Sequence, residues 1–307
     1  LTLLASRAAS TVTFSGTESI FNAIVVQADK GVVSAADVTT DTAAMHLEGD
    51  KDNASDSLDT IGITDGRTLT AESMMTLQAA TNGIVPAGKL TLAAKAGVYI
   101  TDNMKGAANA KALVINADSD ATGSSGTLTV ASTKTVTSNK SDVTITAWDI
   151  DLAGSLTAGT LAITVHGAEA SQTIGLGTTT TMMDISDGEL GRMSAGAGVT
   201  LGSTISGSIA VDGVTDGNSD TVATLTLVAT KAAATVSFVT AASKFNKGIV
   251  VQAIGGVILS QSVVTQLSQT VLNAGTGALT VRSSMTLQTS NQILTVTADN
   301  VDISGAI

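Results

Sequence analysis

Four oxygen-bearing side chains, Asp212, Asp216, Asn218 and Asp220, fall within one short Gly-rich stretch, VDGVTDGNSD. The spacing of Asp216, Asn218 and Asp220 copies the first three ligand positions of a calcium loop. The rest of the loop departs from that pattern. Thr221 stands where the loop needs Gly, and Leu227 stands where it needs a bidentate Glu. These four residues are therefore weak Ca²⁺ candidates, and a solvated turn is the plainer reading. A second acidic segment, 50–65, carries Asp50, Asp52, Asp56, Asp59 and Asp65 against a single Lys51. It is expected to be an exposed loop with at most weak affinity for Ca²⁺.

Other chemistry is thinner. Asp149 and Asp151 sit two apart beside Trp148, so on a strand they share a face. A pair of carboxylates can act on glycosidic bonds when a cleft holds them at the right separation. Such clefts also gather Arg, Lys and aromatic rings for the sugar, and nothing nearby supplies them. A polar outer ladder is the simpler reading. His46 and His166 have no acid or Cys at metal-ligand spacing. No nucleophile elbow or phosphate-binding loop is present. Thr-x-Thr pairs at 11–13, 127–129 and 135–137 raise an ice-binding face. That face needs such pairs in register on successive coils, and here they recur irregularly. Asn53 and Asn139 head glycosylation sequons, which would mark exposed loops in a secreted eukaryotic protein.

The elements that must position these groups are strands. Period-two alternation appears in Thr11-Val12-Thr13-Phe14, Leu90-Thr91-Leu92, Val143-Thr144-Ile145-Thr146 and Leu294-Thr295-Val296-Thr297. Apolar residues point one way and Thr the other, as a half-buried strand requires. Gly, Asn, Asp and Ser punctuate the runs, as in Thr64-Asp65-Gly66 and Ser186-Asp187-Gly188. The best helical pattern lies at 261–272, diluted by β-branched residues.

An internal repeat organises the chain. Residues 1–28 read LTLLASRAASTVTFSGTESIFNAIVVQA, and residues 225–253 read LTLVATKAAATVSFVTAASKFNKGIVVQA. With Lys247 as the one inserted residue, 17 of 28 aligned positions are identical. The match resumes between 69–78 (LTAESMMTLQ) and 279–288 (LTVRSSMTLQ), after about 15 extra residues in the first copy. Residues 142–156 resemble 293–307 in the same way. The expected organisation is one long unit, 1–224, and the start of a second, 225–307, continuous with the first. The expected partners are a second copy stacked end to end, or more of the same chain.

Composition decides between two all-β architectures. Aromatics are 2 % of 307 residues, with one Trp and one Tyr, while apolar residues are 43 %. Sandwich cores normally use a buried Trp and a Tyr corner, which this chain has too few rings to furnish. A solenoid stacks short coils about 4.8 Å apart around a narrow aliphatic interior. The expected fold is therefore an all-β parallel β-helix, or β-solenoid. Its interior ladders are expected to include Val12, Phe14, Ile24, Val26, Leu225, Leu227, Val236, Phe238, Ile249 and Val251. The net charge of −11 excludes a basic nucleic-acid groove. No apolar run approaches a membrane span, and no Cys is present to build a disulfide scaffold.

The segment 171–213 carries Thr173-Ile174-Gly175-Leu176-Gly177, Asp184-Ile185-Ser186, Glu189-Leu190, Val199-Thr200-Leu201-Gly202 and Gly207-Ser208-Ile209. It resembles the shaft repeats of filamentous haemagglutinin-type adhesins of bacterial two-partner secretion. Val301-Asp302-Ile303-Ser304-Gly305 has the same character. The resemblance covers about half the chain and rests on low-complexity motifs. It implies a right-handed parallel β-helix, secreted and extracellular or on the cell surface, serving as a non-enzymatic filament or adhesin shaft. A cell-surface glycan or matrix is the implied outside partner. The family's secretion domain, with its Asn-Pro signatures, has no counterpart here, since the only Pro is Pro86. The alternative is a β-helix that binds or cleaves polysaccharide.

Overall fold

A computed structural model describes residues 1–55 and 58–307. The chain is a parallel β-helix, and its regular secondary structure is almost wholly short strands. It divides into two compact units. One comprises Leu1–Ala147 with Asp151–Leu161, the other Trp148–Ile150 with Ala162–Ile307.

In the first unit, successive strands visit three faces in turn, and each pairs in parallel with the strand three further on. Thr2–Ala5, Ile24–Ala28, Met45–Glu48, Met75–Gln78, Gly97–Ile100 and Thr127–Val130 make the first face. Thr11–Phe14, Gly31–Ser34, Thr60–Ile63 and their successors make the second. Ser19–Phe21, Val38–Thr40, Arg67–Ala71, Leu90–Ala94, Leu113–Asn116 and Val143–Ala147 make the third.

In-register pairing puts like residues over like. Leu3, Val26, Leu47, Leu77, Ile100 and Val130 form one inward column. Val38, Leu69, Leu92, Ile115 and Ile145 form another. From Val26 and Val38 onward these residues are essentially inaccessible. Most strands hide their inner residues between two neighbours and give their backbone hydrogen bonds to the next coil, so an edge stays open only where a sheet ends.

The second unit repeats the plan. Ala162–Gly167, Gly198–Ser203, Leu225–Ala229, Ile249–Ala253, Thr270–Asn273 and Leu294–Thr297 stack on one face. Ile209–Asp212, Val236–Phe238, Val257–Leu259, Ala278–Val281 and Asn300–Ile303 stack on the next. Ser243–Lys244, Val263–Val264 and Leu287–Gln288 form the third. The segment 261–272, where the helical pattern was strongest, therefore supplies strand residues. Its Val263, Val264 and Val271 are β-branched, and these side chains fit a stacked pleat better than a helix.

Nine of the ten residues assigned to the interior ladders are buried, among them Val26, Leu227, Val236, Phe238 and Val251 at 0 % exposure. Val12 is half-buried, because its coil has no neighbour on one side.

The first sequence match holds strand for strand. Thr2–Ala5 corresponds to Leu225–Ala229, Thr11–Phe14 to Val236–Phe238, and Ile24–Ala28 to Ile249–Ala253. The same edge-to-face ring pair recurs, Phe14–Phe21 at 6.1 Å and Phe238–Phe245 at 6.4 Å between centroids. Gly31 and its counterpart Gly256 both have positive φ, 148° and 119°, at the same coil corner. The second match behaves differently. Leu69 lies on the third face of its unit, whereas Leu279 lies on the face that continues Val236–Phe238. The extra residues of the first copy contain an entire strand, Thr60–Ile63, and one added strand turns the coil by one face.

Candidate functional site

The acidic turns were the chemical candidates, and the structure uses them to tie coils together. The Asp212 carboxylate accepts the Ala241 N–H at 2.7 Å. Asp216 accepts the Asn246 side-chain amide at 2.9 Å and that of Gln266 at 3.2 Å, and pairs with Lys244 at 3.0 Å. Those bonds hold the Asp216 carboxyl below the usual range, with the Asn246 hydrogen bond the largest cause and the Lys244 bond next. Asn218 donates to Asp187, whose carboxylate also takes the Thr215 N–H and hydroxyl. The Asp220 side chain is exposed, and its main-chain oxygen takes Lys247 Nζ at 2.7 Å. Asp212, Asp216, Asn218 and Asp220 thus each engage a separate part of the neighbouring coils. Among the described residues, no three Asp, Glu or His side chains are grouped so as to hold a metal ion.

The acidic segment 50–65 departs from its expected exposure. Asp50 and Asp59 are both completely buried, and Thr60–Ile63 is a strand with Ile61 and Ile63 in the core. Asp56 lies outside the described residues. For Asp50 the reason is a corner clamp. Asp50 accepts the Thr81 N–H at 2.7 Å from a neighbouring coil. Asp29 does the same for Ala9 at 2.6 Å, and Asp102 for Ala79 at 3.0 Å while pairing with Lys134 at 2.6 Å. A buried carboxylate that takes backbone N–H groups and an ammonium satisfies donors that a tight corner leaves over. Asp65 is held low chiefly by its hydrogen bond from Lys111.

One part of the second unit breaks the regular coil. After Ile174–Gly177, the chain reverses through 178–182, and Met183–Ile185 lies parallel beside the strand it has just left. Parallel neighbours normally need a crossover of a dozen residues or more. Here the Asp184 carboxylate collects the Thr179 hydroxyl at 2.8 Å and the Thr181 N–H at 2.9 Å, which folds the return tightly. The return crosses Gly175 so closely that a Cβ there would overlap Thr179 and Asp184. A five-residue helix, Asp187–Gly191, follows, with Ser186 and Glu189 forming a reciprocal capping box. Ser186-Asp187-Gly188 reads in the sequence as turn punctuation, and this helix was missed there; the Ser186-x-x-Glu189 spacing is the signal that marks it.

Asp149 belongs to this region and Asp151 does not. Asp149 is half-buried, and its carboxylate accepts the Asp184 N–H at 3.0 Å. Burial is the main cause that pushes its pKa up, and the nearby charges of Glu189 and Asp184 add to it. Asp151 is exposed. The Trp148 carbonyl accepts the Gln172 side-chain amide at 2.6 Å.

The remaining candidates are scattered. His46 lies on the first face between Val25 and Thr76, and His166 sits beside the Gly167 carbonyl. Thr11 and Thr13 face Gly31 and Val33 on the next coil, while Thr135 and Thr137 face Ser155 and Thr157. Thr127 and Thr129 stand on a different face of the unit, so the pairs do not make one continuous array. Asn53 and Asn139 both occupy positive-φ turns, at 56° and 57°, and Asn53 is exposed. One surface concavity of about 490 Å³ is lined by Asn82, Val85, Lys105, Gly106, Ala107 and Asn139, which include no acid, histidine or ring. No helix is long and apolar enough to cross a membrane among the described residues.

Set against known proteins, the chain matches no family, no curated protein and no solved structure.

Proposed function

We propose that this chain is a non-enzymatic structural segment of an extracellular β-solenoid, a filament or adhesin shaft of the filamentous haemagglutinin type. The observation that carries this reading is the set of aliphatic columns. Leu3 to Val130 in the first unit and Val165, Leu201, Leu227, Val251, Leu272 and Val296 in the second repeat one residue class at one position, coil after coil. A rod needs this periodic interior, because stability then accumulates coil by coil. The acidic residues fit the same role, since they clamp corners of adjacent coils. Oriented specimens should give a meridional reflection near 4.8 Å, and electron micrographs should show elongated particles. Round particles without that reflection would overturn the reading.

A second reading, a β-helix that binds or cleaves polysaccharide, has one observation in its favour. The raised carboxyl of Asp149 stands beside Asp184 and Glu189 at the irregular return of the second unit. Release of saccharide from acidic or neutral glycans, lost in Asp149→Asn, would establish it.

A further inference from the structure

No Lys or Arg stands among residues 141–157, around Asp149. The fold brings one towards that segment from a later coil. In the second unit, the corners that precede Ile174–Gly177, Ile209–Asp212 and Val236–Phe238 lie one above another, because those strands pair in register. Together they form a surface concavity of about 270 Å³, lined by Ser171, Thr173, Gly207, Ser208 and the turn 231–234.

This lining is a set of spare donors. The Lys231 ammonium donates to the Ser171 hydroxyl, and among the described residues no carboxylate pairs with it. Lys95, Lys111, Lys134 and Lys244 each have such a partner. Ser171 Oγ accepts from Lys231, so its own proton is left over. Ser208 Oγ accepts the Thr235 N–H at 3.1 Å and the Thr235 hydroxyl at 3.3 Å. Thr173 Oγ1 accepts the Met182 N–H at 3.2 Å. All three hydroxyls therefore keep a proton that no acceptor among the described residues takes. Three hydroxyl protons around one unpaired ammonium are the complement of an oxyanion. One ammonium matches one negative charge, and a net charge of −11 disfavours a more highly charged ligand.

The concavity also adjoins the segment that carries Asp149. Gln172, between Ser171 and Thr173, donates to the Trp148 carbonyl at 2.6 Å. Met182, bonded to Thr173, lies two residues before Asp184, whose N–H donates to the Asp149 carboxylate at 3.0 Å. Its volume is near the lower end of the roughly 300–1,000 Å³ of small-molecule sites, which suits a single ring. Ala232 and Ala233 are exposed and give the rim methyl groups for the C–H face of such a ring.

We propose that the concavity at Ser171, Ser208 and Lys231 binds the carboxylate of an acidic sugar residue, with the Lys231 ammonium as its charge partner. This rests on the polysaccharide reading and deepens it, because it names the ligand as a chain that bears uronate groups.

Calorimetric titration with oligogalacturonate tests the site. The fully methyl-esterified oligosaccharide has the same rings without the charge, and it should bind at least about tenfold more weakly. Lys231→Met should lower the affinity for oligogalacturonate by about tenfold, Ser208→Ala by about threefold, and Lys231→Arg should keep most of it. Lys231 stands on a surface turn, so circular dichroism should show every variant folded. No binding, equal binding of the ester, equal affinity for acetate, or an unchanged affinity in Lys231→Met would each overturn the proposal. Saccharide release separates the two levels. Binding that depends on Lys231 without any release leaves this site standing and removes cleavage at Asp149. Release that needs Asp149 and survives Lys231→Met leaves cleavage standing and removes this site.

Discussion

The coil at 1–23 and the coil at 225–248 are a natural experiment in stacking. Their sequences match, their strands match, and their Phe pairs have the same geometry. They differ in whether another coil lies against the lower edge. Leu1 is 62 % exposed and its counterpart Leu225 only 2 %. Leu3, Val12 and Phe21 are half-buried, whereas Leu227, Val236 and Phe245 are at or below 1 % exposure. Complete burial of one such side chain contributes about 1.5–3 kcal/mol, so a neighbouring coil adds part of that amount at each of these positions. The single insertion between the copies belongs to this difference. Lys247, which has no counterpart at 22–23, reaches the main-chain oxygens of Asp220 and Val222 in the segment beneath, at 2.7 and 2.9 Å.

The comparison is broken most forcefully at the rings. Phe245→Ala should destabilise the protein by about 3–5 kcal/mol, the usual cost of emptying a ring from a closed core. Phe21→Ala, on the open coil, should cost less than half as much, because solvent and neighbouring side chains already reach that site. Paired denaturant titrations read both. Equal losses would show that the open edge is covered in solution.

A smaller effect is expected one residue beyond the insertion. Gly248 corresponds to Ala23, so the same place takes a methyl in one copy and none in the other. A Cβ at 248 would sit well under 3.0 Å from the backbone of Gln269. Gly248→Ala should therefore cost about 1–3 kcal/mol through overpacking. Ala23→Gly should cost no more than about 1 kcal/mol, from backbone entropy. Thermal unfolding of the two variants checks the asymmetry.

What the sequence disclosed and what it hid divide along a physical line. Alternation such as Leu225-Thr226-Leu227 reports a pleat directly, so the strands and inward residues were legible. The repeat made the first coil's counterpart legible too. Long-range closure was not. Nothing local distinguishes Asp50 and Asp59, which are buried, from Asp220, which is exposed, because burial depends on which coil arrives opposite. The match of 69–78 to 279–288 was real as sequence, yet the added strand Thr60–Ile63 moved it to another face. The return at 178–182 was hidden for a similar reason. It depends on Asp184 gathering Thr179 and Thr181 across Gly175, a contact visible only once the chain has folded back.

The smallest effect concerns acid, and it contrasts two carboxylates of the second unit. Asp216, held low by Asn246 and Lys244, belongs to the clamp between the covered coil and the segment beneath it. Because its folded pKa is depressed, its contribution is complete above the unfolded value near 3.8 and is lost as pH falls through the lower folded value. Asp149 has the opposite sign. Burial raises its pKa, so its neutral form is favoured, and the stability that goes with protonation is lost as pH rises above about 3.8 through the folded value. Asp149→Asn should therefore raise Tm at neutral pH, with the gain fading as the solution is acidified past the folded pKa. Asp216→Asn should lower Tm at neutral pH, with the loss fading only below pH 3.8. The matched first coil keeps Asn22 at the place of Asn246 but has Ile20 in place of Lys244, so it lacks the ammonium of the Asp216 clamp. Acid loosening below pH 3.8, followed by hydrogen exchange, should therefore appear at 243–246 and be absent at 19–22. The same acid response at both sites would mean that the clamp at Asp216 adds nothing that the open coil lacks.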